Sequence, residues 1–320
     1  MEDRSVRFEE AWERLRDCRL CPRECRADRL AGENGFCGAG AEAKVAAVSV
    51  HHGEEPPISG TMGSGTVFFS HCNMRCLFCQ NYPISQYGVG RETGIGQLGE
   101  RLLRLQEKGV HNVNFVTPTP HIPHLIGSVS YSRKNGLKVP VVYNTNGYDS
   151  PEALALLDGT VDIYLPDMKY RSEGLSERVS ETPEYPARND RAVVEMLRQV
   201  GPLALGKDGI AVRGVLIRHL VLPGRVAETK KVLRHIRETF GPDIPLSLMG
   251  QYFPAYKAPS IPPSGRGDLH AKRGGRDPAA SPFARKLSPS EYDRAIAHAL
   301  ELGLGNTFIQ DDPDRIAHAR

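Results

Sequence analysis

The segment Cys72-Asn-Met-Arg-Cys76-Leu-Phe-Cys79 follows directly on the apolar run Val67-Phe68-Phe69. A run of this kind is typical of a buried strand, so the three thiols lie on one loop at the carboxyl end of that strand. Binding sites of parallel α/β proteins form at such strand ends. Three thiolates on a short loop can hold three irons of a [4Fe-4S] cluster and leave the fourth iron open for an outside ligand.

Alternatively, the three thiolates of this loop could form part of a zinc site. A structural zinc site closes with four ligands, and no Cys or His follows Cys79 at zinc-finger spacing. The three-cysteine loop therefore favours an iron-sulfur cluster over zinc.

The seven cysteines all lie between positions 18 and 79, which disulfide stapling explains poorly. Four of them form a second group in a stretch rich in Gly and Arg: Cys18, Cys21, Cys25 and Cys37. Four thiolates bind either zinc or a second [4Fe-4S] cluster, and the spacing does not separate the two. Because the protein fills all four positions, we expect a structural or electron-relay role and not substrate ligation.

From about Gly65 onward, β-branched or aromatic runs alternate with amphipathic helices, which is the rhythm of parallel βα units. The predicted strands are Thr66–Ser70, Val113–Val116, Val139–Asn144, Val161–Leu165, Gly214–Val221, Pro245–Met249 and Asn306–Gln310. A first helix is predicted over Ser5–Asp17, and a last helix starts at the capping box of Ser288 and Glu291. The sequence thus predicts an α/β fold of six βα units and a terminal strand.

Two parts are expected along the chain. Residues 1–60 hold the N-terminal helix and a small four-cysteine unit, which needs a metal to be stable. Residues 61–320 are expected to form the larger α/β domain. An insertion at 260–286 is dense in Pro, Gly and Arg, and we expect it to be flexible.

Composition and charge indicate an ordinary globular protein, with 40% hydrophobic and 25% charged residues. The net charge of +3 is too balanced to indicate a nucleic-acid partner. The N-terminus has no apolar secretory core, and no run approaches bilayer length. We expect a cytoplasmic protein with neither a nucleic-acid nor a membrane partner.

The cysteine spacing, with aromatic Phe78 before the third cysteine, resembles the signature of the radical S-adenosylmethionine (SAM) superfamily. Nearly the whole chain is similar to the PflX-type branch of the pyruvate formate-lyase activating-enzyme-like radical SAM proteins. The further segments that carry this resemblance are Cys18-Arg-Leu-Cys21-Pro-Arg-Glu-Cys25, Gly53-Glu-Glu-Pro-Pro-Ile-Ser-Gly60, Phe115-Val-Thr-Pro-Thr-Pro-His121 and Ser247-Leu-Met-Gly-Gln-Tyr-Phe-Pro254.

The resemblance implies a partial (β/α)6 barrel with a [4Fe-4S] cluster on Cys72, Cys76 and Cys79 and SAM on its open iron. It implies reductive cleavage of SAM to a 5'-deoxyadenosyl radical, which abstracts hydrogen from a substrate. The implied partners are a low-potential electron donor, flavodoxin- or ferredoxin-like, and a protein or small-molecule substrate.

The resemblance also places SAM contacts at Phe78, which packs on adenine, and at the ends of four strands. The strand-end residues are Thr117, Thr119, Asn144, Asn146, Asp167, Lys169 and His219. This chain departs from the activating enzymes after the second strand, where Thr117-Pro-Thr-Pro120 stands in place of Gly-Gly-Glu.

Each of these positions also has a plain structural interpretation. Asn146-Gly147 is typical of a turn, and a histidine in an apolar strand such as His219 is often a core residue with satisfied hydrogen bonds. Asp167 and Lys169 could form a solvated pair, although their spacing puts them on one face of the pleat.

Several further polar residues are expected near the pocket. The seven thiols already account for two metal sites, so the histidines are predicted to be pocket groups or partners of ligands. The residues concerned are His51, His52, His121 and His124, with Glu54 and Glu55 placed in the same pocket by resemblance.

Three functions remain open from the sequence. The first is activation of a glycyl radical enzyme, which rests on resemblance alone. The second is radical modification of a small metabolite or peptide, and the third is a metal-binding or regulatory module without catalysis. An activating enzyme should leave the barrel mouth open, whereas a metabolite enzyme should close it with Ser260–Lys286 or the N-terminal unit.

Overall fold

Residues 4–263 and 281–310 are described by a computed structural model of the chain. They form two compact units, each with its own β-sheet. The first unit comprises the residues up to Met74, Pro83–Asp167 and Ala187–Leu216, and the second comprises Arg75–Tyr82, Met168–Pro186 and the residues from Ile217 onward. The boundary expected at residue 60 stays a prediction. Most of the insertion expected at 260–286 lies outside the described residues.

The first unit contains an eight-stranded sheet in the order β3-β1-β2-β4-β5-β6-β8-β7. Its strands are β1 (Lys44–His51), β2 (Ser64–Phe69), β3 (Arg91–Glu92), β4 (Val113–Val116), β5 (Val141–Thr145), β6 (Ile163–Pro166), β7 (Ala204–Leu205) and β8 (Ala211–Val215). The five strands from β2 to β8 in this order are parallel, and antiparallel strands flank them on both sides. Every residue of β5 and β6 is buried, as expected for central parallel strands.

The helices alternate with the strands. They are α1 (Arg4–Glu13), α2 (Pro56–Ser59), α3 (Tyr82–Ser85), α4 (Ile95–Glu107), α5 (Ile122–Lys134), α6 (Pro151–Leu154), α7 (Glu173–Ser180), α8 (Tyr185–Val200), α9 (Val226–Phe240) and α10 (Pro289–Glu301). The buried side of α4 carries Leu98, Leu102 and Leu105, the helical spacing of an amphipathic segment. Within the described residues, no helix is long and apolar enough to cross a lipid bilayer.

The second unit contains three parallel strands in the order β11-β10-β9, namely β9 (Ile217–Leu220), β10 (Leu246–Met249) and β11 (Thr307–Gln310). In sequence, α9 separates β9 from β10, and α10 precedes β11. The predicted capping box is confirmed, since Ser288 and Glu291 satisfy each other's backbone N–H groups at the start of α10.

The predicted α/β fold class is confirmed, and the parallel strands are consistent with a partial barrel. Two details differ from the prediction. The antiparallel strand β1 was not predicted, although Lys44–His51 is rich in valine and alanine. The single strand predicted at Gly214–Val221 is wrong: the N–H of Leu216 donates to Tyr164 O, whereas that of Ile217 donates to Pro245 O. Consecutive backbone N–H groups thus bond to two different strand neighbours, so β8 ends and β9 begins at this point.

Two buried histidines lie at the start of α5. His121 Nε2 lies 2.8 Å from Ser70 O, and His124 Nε2 accepts the backbone N–H of Ala43 at 3.2 Å. Burial is the main cause that lowers the pKa of both imidazoles, that of His124 to about 4, and the Arg29 guanidinium lowers both further. Both side chains are therefore neutral in the folded protein at pH 7.

This predicts acid sensitivity of the fold. A buried histidine such as His124 has a lower pKa in the folded protein than in the unfolded chain. Its contribution to the free energy of unfolding is therefore complete above pH 6.5 and is lost as the pH falls toward 4. For His124 the loss between pH 7 and pH 5 is about 2 kcal/mol. Urea unfolding of the metal-free protein at both pH values measures it.

The variant His124→Gln should reduce this pH dependence by about that 2 kcal/mol, because a neutral amide oxygen can still accept the Ala43 N–H. The exposed His52 provides the control, and His52→Gln should leave the pH dependence as in the wild type. An unchanged dependence in His124→Gln would show that other groups cause the acid sensitivity.

Candidate functional site

Cys72 lies on the loop after β2, and its sulfur accepts two hydrogen bonds within the first unit. Asn146 Nδ2 donates to Cys72 Sγ at 3.3 Å, and the backbone N–H of Met74 donates at 3.4 Å. Asn146 also donates to Asn73 Oδ1 at 2.8 Å, while its own Oδ1 accepts the N–H of Tyr148. Asn146, predicted as a SAM contact, is thus held against the first cysteine of the loop.

Cys76 and Cys79 belong to the second unit. Ser180 Oγ donates to Cys76 Sγ at 3.1 Å, and because its single proton is used there, it accepts from Tyr170 OH at 2.8 Å. The backbone N–H groups of Arg75 and Leu77 donate to the carbonyls of Ser180 and Val179. The carboxyl end of α7 therefore fixes this half of the loop, which the sequence did not indicate.

The donors around these sulfurs suit an iron-sulfur cluster. Hydrogen bonds from N–H and O–H groups stabilise thiolates and are among the factors that set a cluster's reduction potential. Within residues 4–263 and 281–310, no three His, Cys, Asp or Glu side chains converge closely enough to share one metal ion.

Phe78 packs inside the second unit. Its ring centroid lies 5.9 Å from that of Phe283 and 6.0 Å from that of Tyr252. The neighbouring Leu77 carbonyl accepts the N–H of Lys257. The segment after β10 therefore supports the loop at Phe78, and the predicted contact with adenine stays a prediction.

The four N-terminal cysteines lie near one another in the first unit. A methyl group built on Gly35 would lie 3.3 Å from Cys25 Sγ and 3.5 Å from Cys37 Sγ, so glycine leaves room for both sulfurs. Burial raises the pKa of the Cys21 thiol, and negative charge on the other three thiols would raise it further. Burial also raises the pKa of Cys37, whereas Arg29 lowers it.

Arg29 is a buried cation in this segment. It donates to Gly40 O, to Pro120 O at 2.9 Å and, at 3.8 Å, to Cys18 Sγ. It forms no ion pair with a carboxylate among the described residues. Burying a charge without a counterion costs free energy, and negative charge on the neighbouring sulfurs would reduce that cost.

Two further contacts join the four-cysteine segment to the Cys72 loop. Arg23 Nε donates to Asn73 O at 3.0 Å, and its guanidinium lies 3.8 Å from the centre of the Phe36 ring. His71 hydrogen-bonds to the backbone of Cys37, and its ring fills the space beside Gly38. The sequence showed that this stretch is rich in arginine, but it did not reveal that Arg23 and His71 join the two cysteine groups.

The segment Thr117–Pro120 follows β4. Thr117 has φ +57°, which is strained for a β-branched residue, and its N–H donates to Asn144 O. The Thr119 hydroxyl donates to buried Asp149 at 2.7 Å. Thr119, predicted as a SAM contact, thus directs its hydroxyl to a carboxylate.

Asp149 accepts two more hydroxyl groups, from Tyr143 at 3.0 Å and from Thr145 at 2.6 Å. Burial raises the pKa of Asp149, and the three hydroxyl donors oppose that rise. On the neighbouring β5, Asn144 Nδ2 donates to Glu54 Oε2 at 3.2 Å. Asn144 and Glu54 are therefore in contact, and their place in a SAM pocket stays a prediction.

Gly147 and Asn189 join two strand ends. Asn189 Nδ2 donates to the carbonyls of Gly147 and Asp167, each at 2.9 Å. Gly147 has φ +76°, and a methyl group there would collide with both Asn189 Nδ2 and Asp167 O. Only glycine allows this approach.

The last predicted positions lie in the second unit. The N–H of Lys169 donates to Tyr185 OH at 3.1 Å. His219 Nδ1 lies 2.7 Å from Met168 O, and His219 Nε2 lies 3.0 Å from Thr229 Oγ1 on α9. Both ring nitrogens of His219 are engaged, which is the core role that the sequence left open.

Comparisons with known proteins identify the class. The model of the radical SAM superfamily matches residues 66–236, more than half of the chain. Uncharacterized protein MJ0674 of Methanocaldococcus jannaschii is 31% identical over 257 residues, which cover 78% of this chain and 69% of that protein. Uncharacterized protein MJ0808 of the same organism is 25% identical over 267 residues, which cover 77% and 73%.

Solved structures with a similar fold include native anSMEcpe with bound AdoMet, at a TM-score of 0.46 and 14% identity, covering 77% of this chain and 58% of that chain. HydG, a maturase of the [FeFe]-hydrogenase, matches at a TM-score of 0.48 and 14% identity, covering 97% and 65%. The chain spans less than two thirds of either structure.

The fold and the cysteine loop define a cluster-dependent enzyme that binds SAM. The chain belongs to the radical SAM superfamily. Membership implies a [4Fe-4S] cluster and SAM as cofactors, together with a reductant and a substrate.

The close approach at Gly147 predicts a large effect of Gly147→Ala. The added methyl must displace Asn189 or the Asp167 backbone. The free energy of unfolding should therefore fall by about 1–3 kcal/mol more than in a Gly→Ala variant whose added methyl has free space around it. Gly159→Ala is the matched control, since Gly159 has φ +75° and no atom within 4 Å of the built methyl. Equal losses in urea unfolding of the two variants would contradict this role.

The hydrogen bond from Ser180 to Cys76 predicts a shift in reduction potential. Ser180→Ala removes an O–H donor from a cluster thiolate, so the potential should fall by about 20–60 mV. EPR-monitored redox titration of the reconstituted protein, in a Cys21→Ala background, measures it. Ser132→Ala removes another buried hydroxyl, one bonded to Ser128 and Gly99, and should leave the potential unchanged.

Proposed function

We propose that this chain uses a [4Fe-4S] cluster on Cys72, Cys76 and Cys79 to cleave SAM and to abstract hydrogen from a substrate. When bound, the cofactors supply the chemistry: one electron breaks a carbon–sulfur bond of SAM, giving methionine and a 5'-deoxyadenosyl radical that takes a hydrogen atom from the substrate. The observation that carries the proposal is the cysteine loop after β2, whose sulfurs accept hydrogen bonds from Asn146 and Ser180.

The chain's own residues hold and orient these groups. Asn146 and the Met74 N–H stabilise a thiolate at Cys72, and the relay from Tyr170 through Ser180 does so at Cys76. Asp149, in the segment after β5, holds Thr119 of the segment after β4 and Thr145 at the end of β5. We assign SAM contacts to these strand-end segments, at Thr117, Asn144, Asp167 and Lys169.

The four-cysteine segment holds a second [4Fe-4S] cluster in this proposal. Arg29 supports an anionic group there, because it is buried beside Cys18 Sγ without a carboxylate partner. The segment's contacts with Asn73 and His71 suit an electron-relay or structural role.

The substrate has two candidates. Resemblance to the PflX-type branch favours a glycyl radical enzyme. One observation favours a peptide or small metabolite: Arg23 and Arg29 fix the N-terminal segment against Asn73 and Pro120, so it covers strand-end loops of the first unit. Fractionated cell extract separates the candidates, since either the protein fraction or the small-molecule fraction should accelerate formation of 5'-deoxyadenosine.

The test of the reaction is anaerobic reconstitution with iron and sulfide, followed by reduction with dithionite in the presence of SAM. Wild-type protein should form 5'-deoxyadenosine, and Cys76→Ala should form none. Cys76→Ala and Cys21→Ala should each contain about half the wild-type iron, since each retains one of two four-iron clusters.

Two results would revise the assignment. If Cys21→Ala keeps its iron and loses zinc, the N-terminal site is a zinc site. If the wild type holds its cluster but forms no 5'-deoxyadenosine with or without extract, the proposed SAM cleavage is wrong.

A further inference from the structure

A groove of about 650 Å³ lies in the first unit beside strand β1 and helix α4. Residues 45–48 of β1 and 89–91 of the chain before and within β3 line one side, and α4 lines the other. The groove lies at the flank of the sheet, where β1 separates the short edge strand β3 from β2. None of the predicted site residues lines it.

Four cations line this groove: Arg91, Arg101, Arg104 and Lys108. Arg101 is half-buried and the other three are exposed. None of the four side chains forms an ion pair with another residue among those described. The whole chain carries a net charge of only +3, so this groove concentrates positive charge well above the average of the surface.

The groove connects directly to the segment that carries Cys72. Ser70, two residues before Cys72, donates its hydroxyl proton to Val89 O at 2.7 Å. Val45 pairs with Phe69 at the end of β2, and a methyl group on Gly90 would collide with Ser70 Oγ. The groove wall is therefore packed on the residues that lead into the cysteine loop.

The shape and lining suit a protein surface better than a small ligand. The groove is open, and the exposed Val89 and Ala47 and the half-buried Val48 provide apolar area between the cations. A protein interface combines such an apolar centre with a charged rim, whereas a small-molecule site encloses most of its ligand.

From this geometry we propose that the groove of Arg91, Arg101, Arg104 and Lys108 docks the acidic surface of the low-potential redox protein that reduces the cluster. This inference rests on the proposed function, because SAM cleavage consumes an electron. One electron passes from the reduced donor protein to the cluster, the donor is oxidised by one electron, and no atom is transferred. Opposite charge accelerates the encounter of the two proteins.

The experiment uses the reconstituted holoenzyme and two electron sources. The variant Arg101→Glu/Arg104→Glu should form 5'-deoxyadenosine about ten-fold more slowly than the wild type with a reduced acidic flavodoxin or ferredoxin. Its rate with dithionite should equal that of the wild type, because a small reductant does not need the docking surface. Added salt should slow the wild type with the protein donor and affect the variant little.

The matched control is Lys230→Glu/Arg234→Glu, which makes the same charge change on α9, outside the groove. It should behave as the wild type with both electron sources. The variant Arg91→Glu/Lys108→Glu repeats the test on the other two cations, in case the first variant folds poorly.

Equal rates of wild-type and groove variants with the protein donor would overturn the inference, as would wild-type rates that do not depend on salt. Failure of both acidic donors to support wild-type turnover would overturn it too. Loss of dithionite-driven activity in the wild type itself would instead overturn the proposed function.

Discussion

The buried guanidinium of Arg29 is the constraint on which the arrangement of the first unit depends. It binds the carbonyls of Gly40 and Pro120 and lies against Cys18 Sγ, without a carboxylate among the described residues. Burying a lone cation costs several kcal/mol unless nearby negative charge offsets it. A metal or cluster bound to the four cysteines would make their sulfurs thiolates and provide that charge, which would couple metal binding to packing of the N-terminal segment.

This coupling changes how the N-terminal cysteines are understood. The sequence predicts that they form a separate small unit. Within the first unit, however, they are joined to the segment of Cys72 by Arg23 at Asn73 and by His71 at Cys37. A metal at this site would therefore hold the segment before Cys72 in position as well as stabilising its own residues.

The strand-end residues serve first to hold one another. Asp149 gathers three hydroxyl groups from β5 and from the segment after β4, and Asn189 joins the carbonyls of Gly147 and Asp167. Such polar networks keep backbone groups in place for cofactor binding, because each buried group has its partner. Thr117 carries backbone strain within this frame, as residues at functional sites often do.

The sequence by itself determined the α/β class, most of the strands and the cysteine loop, because apolar β-branched or aromatic runs, capping residues and ligand spacing are local properties of the chain. It also singled out Asn146 for a SAM contact, which stays a prediction. Only the tertiary structure decided that Asn146 and Ser180 donate to the sulfurs of Cys72 and Cys76, that both ring nitrogens of His219 are engaged, and that the strand predicted at Gly214–Val221 divides into two. These depend on contacts between residues as many as 104 positions apart, and no local pattern encodes which distant group a side chain will meet.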